Sequence, residues 1–145
     1  MQPLPHLYRA SAAASTAGRV TLTHDGVPAL ESSPPVEFGG PGDAWSPEGL
    51  LVAAVADCFI LTFRAVARAS KLKWAGLEVR VEGTLERHEG VTAFTGFQFH
   101  ATLEIDSETD QGLAHAALER AERGCLVSNS LRAPVHLKAE LVVTA

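Results

Sequence analysis

Cysteine is scarce in this 145-residue chain: there are two, Cys58 and Cys125, and no CxxC spacing. So sparse a set excludes the disulfide framework of a small secreted domain, and in a reducing compartment a bridge between two such thiols is more often transient and catalytic than structural. Basic clusters are also missing. With 17 acidic against 12 basic residues the formal net charge is −5, which argues against a nucleic-acid partner, because phosphate binding needs grouped Lys and Arg. No metal site is expected either, since His6, His24, His88, His100, His115 and His136 are scattered without a ligand pair on one helix face. The N-terminal stretch holds Pro3 and Pro5 but neither the basic nor the apolar region of a secretory signal, so a cytoplasmic location is expected. Repeats and low-complexity tracts are absent, and a single domain over residues 1–145 is expected, long enough to hold a core of its own.

What is present reads as an α+β chain. Residues 20–23 and 27–30 flank His24-Asp25-Gly26, and Asp-Gly favours the positive φ of a tight hairpin turn. Residues 33–47 are crowded with Pro and Gly and carry Phe38 and Trp45, which marks a long loop of the kind that often serves a site. Residues 77–85 and 97–105 alternate apolar with polar and predict two strands joined across Glu89-Gly90. Helical spacing returns over 107–123, where Gly124 suits a left-handed C-terminal position, and residues 135–143 alternate as a last strand.

Between the long loop and the strand pair lies the most apolar segment. Ser46 suits the N-cap, Pro47 the first helical position and Glu48 the positive end of the helix dipole, which predicts a helix from 47 to about 70. Its clearly polar residues after Leu50 are few, Asp57, Thr62, Arg64 and Arg68 among them. A helix apolar nearly all round is buried on most sides. A membrane span is disfavoured because Asp57 and Arg64 would sit at mid-bilayer. So few other elements cannot cover such a helix, so part of it is expected to meet a second copy of the chain.

Cys58 lies inside this helix and Cys125 follows Gly124 far along the chain. Free cysteines are among the most buried residue types, and a lone one is usually inert packing. Arg19 and Glu48, taken singly, read as solvated surface charges. Taken with Cys58 they suggest more, since a nucleophilic thiolate needs a cation to lower its pKa and a carboxylate can hold that cation in place.

Three segments then carry a resemblance. Ser46-Pro47-Glu48 opens an alanine-rich helix, Ala54-Val55-Ala56-Asp57-Cys58-Phe59 follows on it, and Gly124-Cys125-Leu126-Val127-Ser128-Asn129-Ser130-Leu131 stands near the C-terminus. In this order and spacing they resemble the OsmC/Ohr family of hydroperoxide reductases, over nearly the whole chain from Gly18-Arg19 onward. The resemblance implies an intertwined α+β homodimer with antiparallel sheets around a buried central helix and two active sites at the dimer interface. It implies a peroxidatic Cys58, a resolving Cys125, and an Arg19 paired to Glu48 beside the thiolate. It further implies organic hydroperoxide substrates, a dithiol reductant that is a lipoylated protein in the best-known branch, and no cofactor.

Three residues depart from the family's common pattern. Leu126 stands where many relatives have proline, Asp57 replaces a small residue before Cys58, and Gly18-Arg19-Val20 lacks the second glycine of the organic-hydroperoxide-resistance branch, which favours the OsmC side. Ten residues of helix span about 15 Å, too far for Glu48 to reach its own Cys58, so either the helix bends or Glu48 serves the partner's cysteine, and the second is expected. Phe38, Trp45 and Phe59 are expected to wall an apolar substrate channel, with Phe63 as readily a core residue. Two other functions stay open at this point: a redox sensor, and a dimer that binds a small apolar ligand without turnover.

Overall fold

Three short strands open the chain as an antiparallel meander: β1 (Ser11–Ala13), β2 (Val20–Thr23) and β3 (Leu30–Ser32). The computed structural model describes residues 1–145, and its contacts divide them into two units, Met1–Leu51 and Val52–Ala145. In the first unit the expected hairpin forms, with Val20 opposite Ser32 and Leu22 opposite Leu30. Its return strand begins later than the pattern predicts, because the turn around Gly26 (φ +80°) extends to the residues before Leu30. The hydroxyl of Thr21 donates to the Glu31 carboxylate across the pair, at 2.9 Å. β1 has no sequence signature, since all three of its residues are exposed and nothing imposes a burial period on them.

The Pro/Gly-rich stretch is a loop with one 3-10 turn, Val36–Phe38. Its far end is tied back by the Ser33 amide, which donates to the Trp45 carbonyl at 2.9 Å. Gly40 is required there: a Cβ would stand 1.7 Å from the Pro34 carbonyl oxygen.

The long helix α1 (Pro47–Ala69) begins where the sequence places it. Ser46 accepts from the Gly49 amide through its hydroxyl at 3.0 Å, satisfying one of the free donors of the first turn, and Pro47 has no amide to satisfy. Its end is closed by the Leu72 amide donating to the Ala67 carbonyl at 2.9 Å, around Lys71 at φ +55°. Burial is confined to the stripe Val55, Phe59, Phe63 and Ala67. Length and composition alone would let α1 cross a membrane, yet its phenylalanines are core residues, and only 22% of its most apolar stretch is buried within the chain. The expectation of a helix covered on most sides is therefore met on one face only in the single chain.

In the second unit β4 (Gly76–His88) and β5 (Val91–Asp106) form the expected hairpin, turning at Glu89 and Gly90, both at positive φ. The period of two is real: Phe97, Phe99, Ala101, Leu103 and Ile105 are all buried. A bulge beside Thr84 and Leu85 shifts the register. Helix α2 (Gln111–Gly124) starts later than its apolar spacing suggests, because the Asp106 carboxylate first holds a turn through the Glu108 and Thr109 amides. Asp110 then caps it by accepting from the Leu113 amide at 3.1 Å.

Two expectations are corrected here. Gly124 is the last helical residue and is not left-handed; the chain leaves the helix through the extended Cys125 (φ −68°, ψ 108°) and enters a one-turn helix, α3 (Leu126–Asn129). The final strand β6 (Val135–Thr144) pairs parallel to β5, Phe97 opposite Val135 through Asp106 opposite Thr144, so this sheet is mixed rather than antiparallel. The reason is topological: the two helices between β5 and β6 form the crossover that parallel pairing needs. The class is nonetheless α+β, two three-stranded sheets with three α-helices.

Candidate active site

Helix α1 fixes one sulfur and the α2–α3 junction fixes the other. Cys58 stands beside Phe59, whose ring is fully buried and meets Phe99 of β5 edge to face, so the core sets the rotation of this turn of helix. Cys58 itself is half-buried and Asp57, a step round the helix, points to solvent. One turn on, the Thr62 hydroxyl donates to the Cys58 carbonyl at 2.7 Å and lies 3.9 Å from the Cys58 sulfur.

Cys125 is fully buried. Its thiol donates towards the Val55 carbonyl of α1 at 3.9 Å, which sets it against the helical turn that leads into Cys58, whose thiol is near enough to raise its pKa. Both are free thiols. The fold thus brings together two cysteines that are distant in sequence, one accessible and one enclosed. Burial pushes the Cys125 thiol above its ordinary value; hydrogen bonding from Ser128 opposes this, and the neighbouring Cys58 adds to it. Ser128 also donates to the Cys125 carbonyl at 3.2 Å, which ties the one-turn helix to the residue that precedes it. Leu126, next in the chain, has 74% of its surface exposed.

The other expected site residues belong to the first unit. Arg19 is exposed and its guanidinium pairs with Asp43 at 3.0 Å, so within one chain its partner is Asp43 and not Glu48. Nothing in the sequence marks Asp43, because it sits in the Pro/Gly-rich loop, where no periodicity distinguishes a functional position. Glu48 carries an oxygen, Oε1, that is enclosed and accepts no hydrogen bond. Phe38 and Trp45 are 61% and 50% exposed on the same loop. Phe59 is corrected from channel wall to core: it has no exposed surface. Phe63 is likewise core, edge to face with Trp74. Thr62 and Ser128 are additions that the sequence does not single out. The signal for Thr62 is its i+4 spacing from Cys58, which puts a hydroxyl on the same helix face as the thiol.

A mixed α+β fold that sets a half-exposed thiol against an enclosed one defines a class of thiol-redox candidate, and comparison with known proteins narrows it. The family model described as OsmC-like protein matches residues 40–140. The chain belongs to that family. It is 32% identical over 141 residues to the organic hydroperoxide resistance protein of Xanthomonas axonopodis pv. citri, covering 93% of this chain and 94% of that protein. It is 30% identical over 112 residues to the uncharacterized protein YmaD of Bacillus subtilis, with 75% of each covered. Among solved structures, an organic hydroperoxide resistance protein from Legionella pneumophila superposes with a TM-score of 0.75 at 30% identity, covering 97% of this chain and 100% of that one.

Proposed function

We propose that this chain is a cysteine-based peroxidase that reduces organic hydroperoxides to alcohols, with Cys58 peroxidatic and Cys125 resolving. The observation that carries the reading is the approach of the Cys58 and Cys125 thiols across the fold, with the first reachable from solvent and the second enclosed. The Cys58 thiolate attacks one peroxide oxygen, the O–O bond breaks, and the departing alkoxide takes a proton to leave as alcohol. Cys58 becomes a sulfenic acid; the Cys125 thiolate attacks its sulfur, the S–S bond forms, and hydroxide leaves as water after taking a proton. A dithiol returns both cysteines to thiols in two exchanges and is itself oxidised to a disulfide. An enclosed resolving thiol is protected from wasteful oxidation until the sulfenic acid forms next to it.

Arg19 is the cation proposed to hold the thiolate and to donate to the peroxide as charge develops, a task suited to a guanidinium that never loses its proton. Glu48 is proposed to orient an arginine of the partner subunit. An enclosed carboxylate oxygen without a donor is costly, and a second copy of the chain would supply one. Homodimer formation is also supported by the largely uncovered apolar surface of α1. Phe38 and Trp45 offer apolar surface for a lipid or aryl group, which favours such hydroperoxides over hydrogen peroxide.

The test is a steady-state assay with cumene hydroperoxide and with hydrogen peroxide, dihydrolipoamide as reductant, on the protein and its Cys58→Ser variant. Turnover is expected with the wild type, higher with cumene hydroperoxide, and none with the variant. Loss of two thiols on stoichiometric peroxide without dithiol-driven turnover would instead indicate a sensor, and no loss would leave only a binding role.

A further inference from the structure

Thr62 has two ends, and each faces one of the two cysteine segments. Its hydroxyl donates to the Cys58 carbonyl at 2.7 Å while standing 3.9 Å from the Cys58 sulfur. Its methyl lies where a Cβ on Gly124, the residue before Cys125, would make contact at 3.4 Å. A threonine hydroxyl that bonds back to the carbonyl one turn earlier is a common helix arrangement with no function of its own. What sets this one apart is the thiol beside the same carbonyl and the second cysteine segment against its methyl.

We propose that Thr62 is the positioning residue of the thiol pair: its hydroxyl swings from the Cys58 carbonyl to the Cys58 sulfur as the thiol ionises, and its methyl holds the Gly124–Cys125 segment in register. The carbonyl loses little, because it keeps the helix bond from the Thr62 amide, whereas the sulfur gains a donor just when it becomes an anion. The thiol proton leaves to solvent and the hydroxyl keeps its own, so the switch is a rotation and not a proton transfer. The separation of 3.9 Å suits a weak contact with a neutral thiol, and bonds to a charged acceptor are shorter and stronger. Gly124 brings the second cysteine segment to the threonine methyl at a distance a Cβ would span in ordinary van der Waals contact.

The second half of this inference rests on the peroxidase reading, but the first does not. The two are separated by measuring alkylation of Cys58 by iodoacetamide against pH, resolved by peptide mass spectrometry on the full-length protein, for wild type, Thr62→Val and Thr62→Ser. Valine keeps the methyl and removes the hydroxyl; its midpoint is expected to rise by about one pH unit, the scale of one hydrogen bond to a charged group. Serine keeps the hydroxyl and is expected to titrate as the wild type does, while forming the Cys58–Cys125 disulfide several-fold more slowly after one equivalent of cumene hydroperoxide. Thr62→Ala gives the same reading of the hydroxyl should the valine variant fold poorly. Equal midpoints for wild type and the hydroxyl-less variants overturn the proposal, whatever their turnover. A raised midpoint in a protein with no peroxidase turnover would sustain Thr62 as donor and dismiss the peroxidase reading instead.

Discussion

Phe59 of α1 meets Phe99 of β5 edge to face, with ring centroids 5.5 Å apart and planes at 76°. Both rings are fully buried. The contact therefore does two things at once: it joins the long helix to the central strand of the mixed sheet, and it fixes the rotation of the helical turn that carries Cys58. A residue committed to that task cannot also open a wall for substrate.

Phe59→Ala is expected to cost about 3–5 kcal/mol of stability, the range for truncating a fully buried aromatic, read from urea unfolding followed by circular dichroism. Cys58→Ser, at a half-buried position on the same turn, should change stability by about 1 kcal/mol or less. A Phe59→Ala protein as stable as the wild type would mean that the ring is not a core anchor.

The start of α1, the β4–β5 hairpin and the last alternating strand are all legible in the sequence, because capping, turn chemistry and periodicity are local signals. The direction of β6 is not. Alternation shows that a strand has one buried face, but parallel pairing with β5 depends on where α2 and α3 carry the chain. Of the candidate site, both cysteines can be named at once, while their approach across the fold is a tertiary fact that only the family resemblance anticipates. Asp43 and Thr62 lack a sequence mark for different reasons. Asp43 lies in an aperiodic loop, whereas Thr62 is indistinguishable from ordinary helix interior until the fold places its hydroxyl beside the thiol and its methyl against Gly124.

The Arg19–Asp43 pair is exposed on both sides, 43% and 63% of the side-chain surfaces, so its worth to stability is about 0–1 kcal/mol. Asp43→Asn should accordingly leave the unfolding midpoint nearly unchanged. If Arg19 serves the thiolate, Asp43 competes for the same guanidinium, and kcat/KM for cumene hydroperoxide is expected to hold or rise in Asp43→Asn while falling at least tenfold in Arg19→Gln. A comparable loss in both variants would make the pair itself the working unit.

Cys125 carries its own pH signature. Burial raises its pKa in the folded chain, so folding retains a proton that the unfolded chain releases near the ordinary thiol value of about 8.5. The sign follows: the unfolded state binds fewer protons above that value, and stability falls as pH climbs through the window up to the folded pKa. Urea unfolding of the reduced protein between pH 7 and 10 should show this decline, and Cys125→Ala should flatten it. The same shift predicts that disulfide formation after sulfenic acid formation accelerates with pH past 8. A rate independent of pH between 7 and 9 would show that Cys125 is already ionised below that range once Cys58 is oxidised, and would overturn the raised value.

Leu61 tests the dimer. It lies on the face of α1 opposite the buried stripe of Val55, Phe59, Phe63 and Ala67, and 53% of its surface is exposed in the single chain. Ala54, Asp57, Arg64 and Arg68 are exposed along the same helix, so the face is mixed, with an apolar centre and charged flanks. A helix of this composition left uncovered would expose apolar surface to water, and a second copy is the occupant proposed above. Leu61→Glu puts a charge at the centre of that face without touching the core stripe. Sedimentation velocity at micromolar concentration is expected to give a dimer for the wild type and a monomer for Leu61→Glu, with circular dichroism unchanged. Peroxide turnover should fall as the dimer is lost, because an enclosed Glu48 would lose the donor assigned to the partner subunit. A wild-type protein that sediments as a monomer and still turns over cumene hydroperoxide would confine the whole reaction to one chain and remove the reason for placing Glu48 in trans.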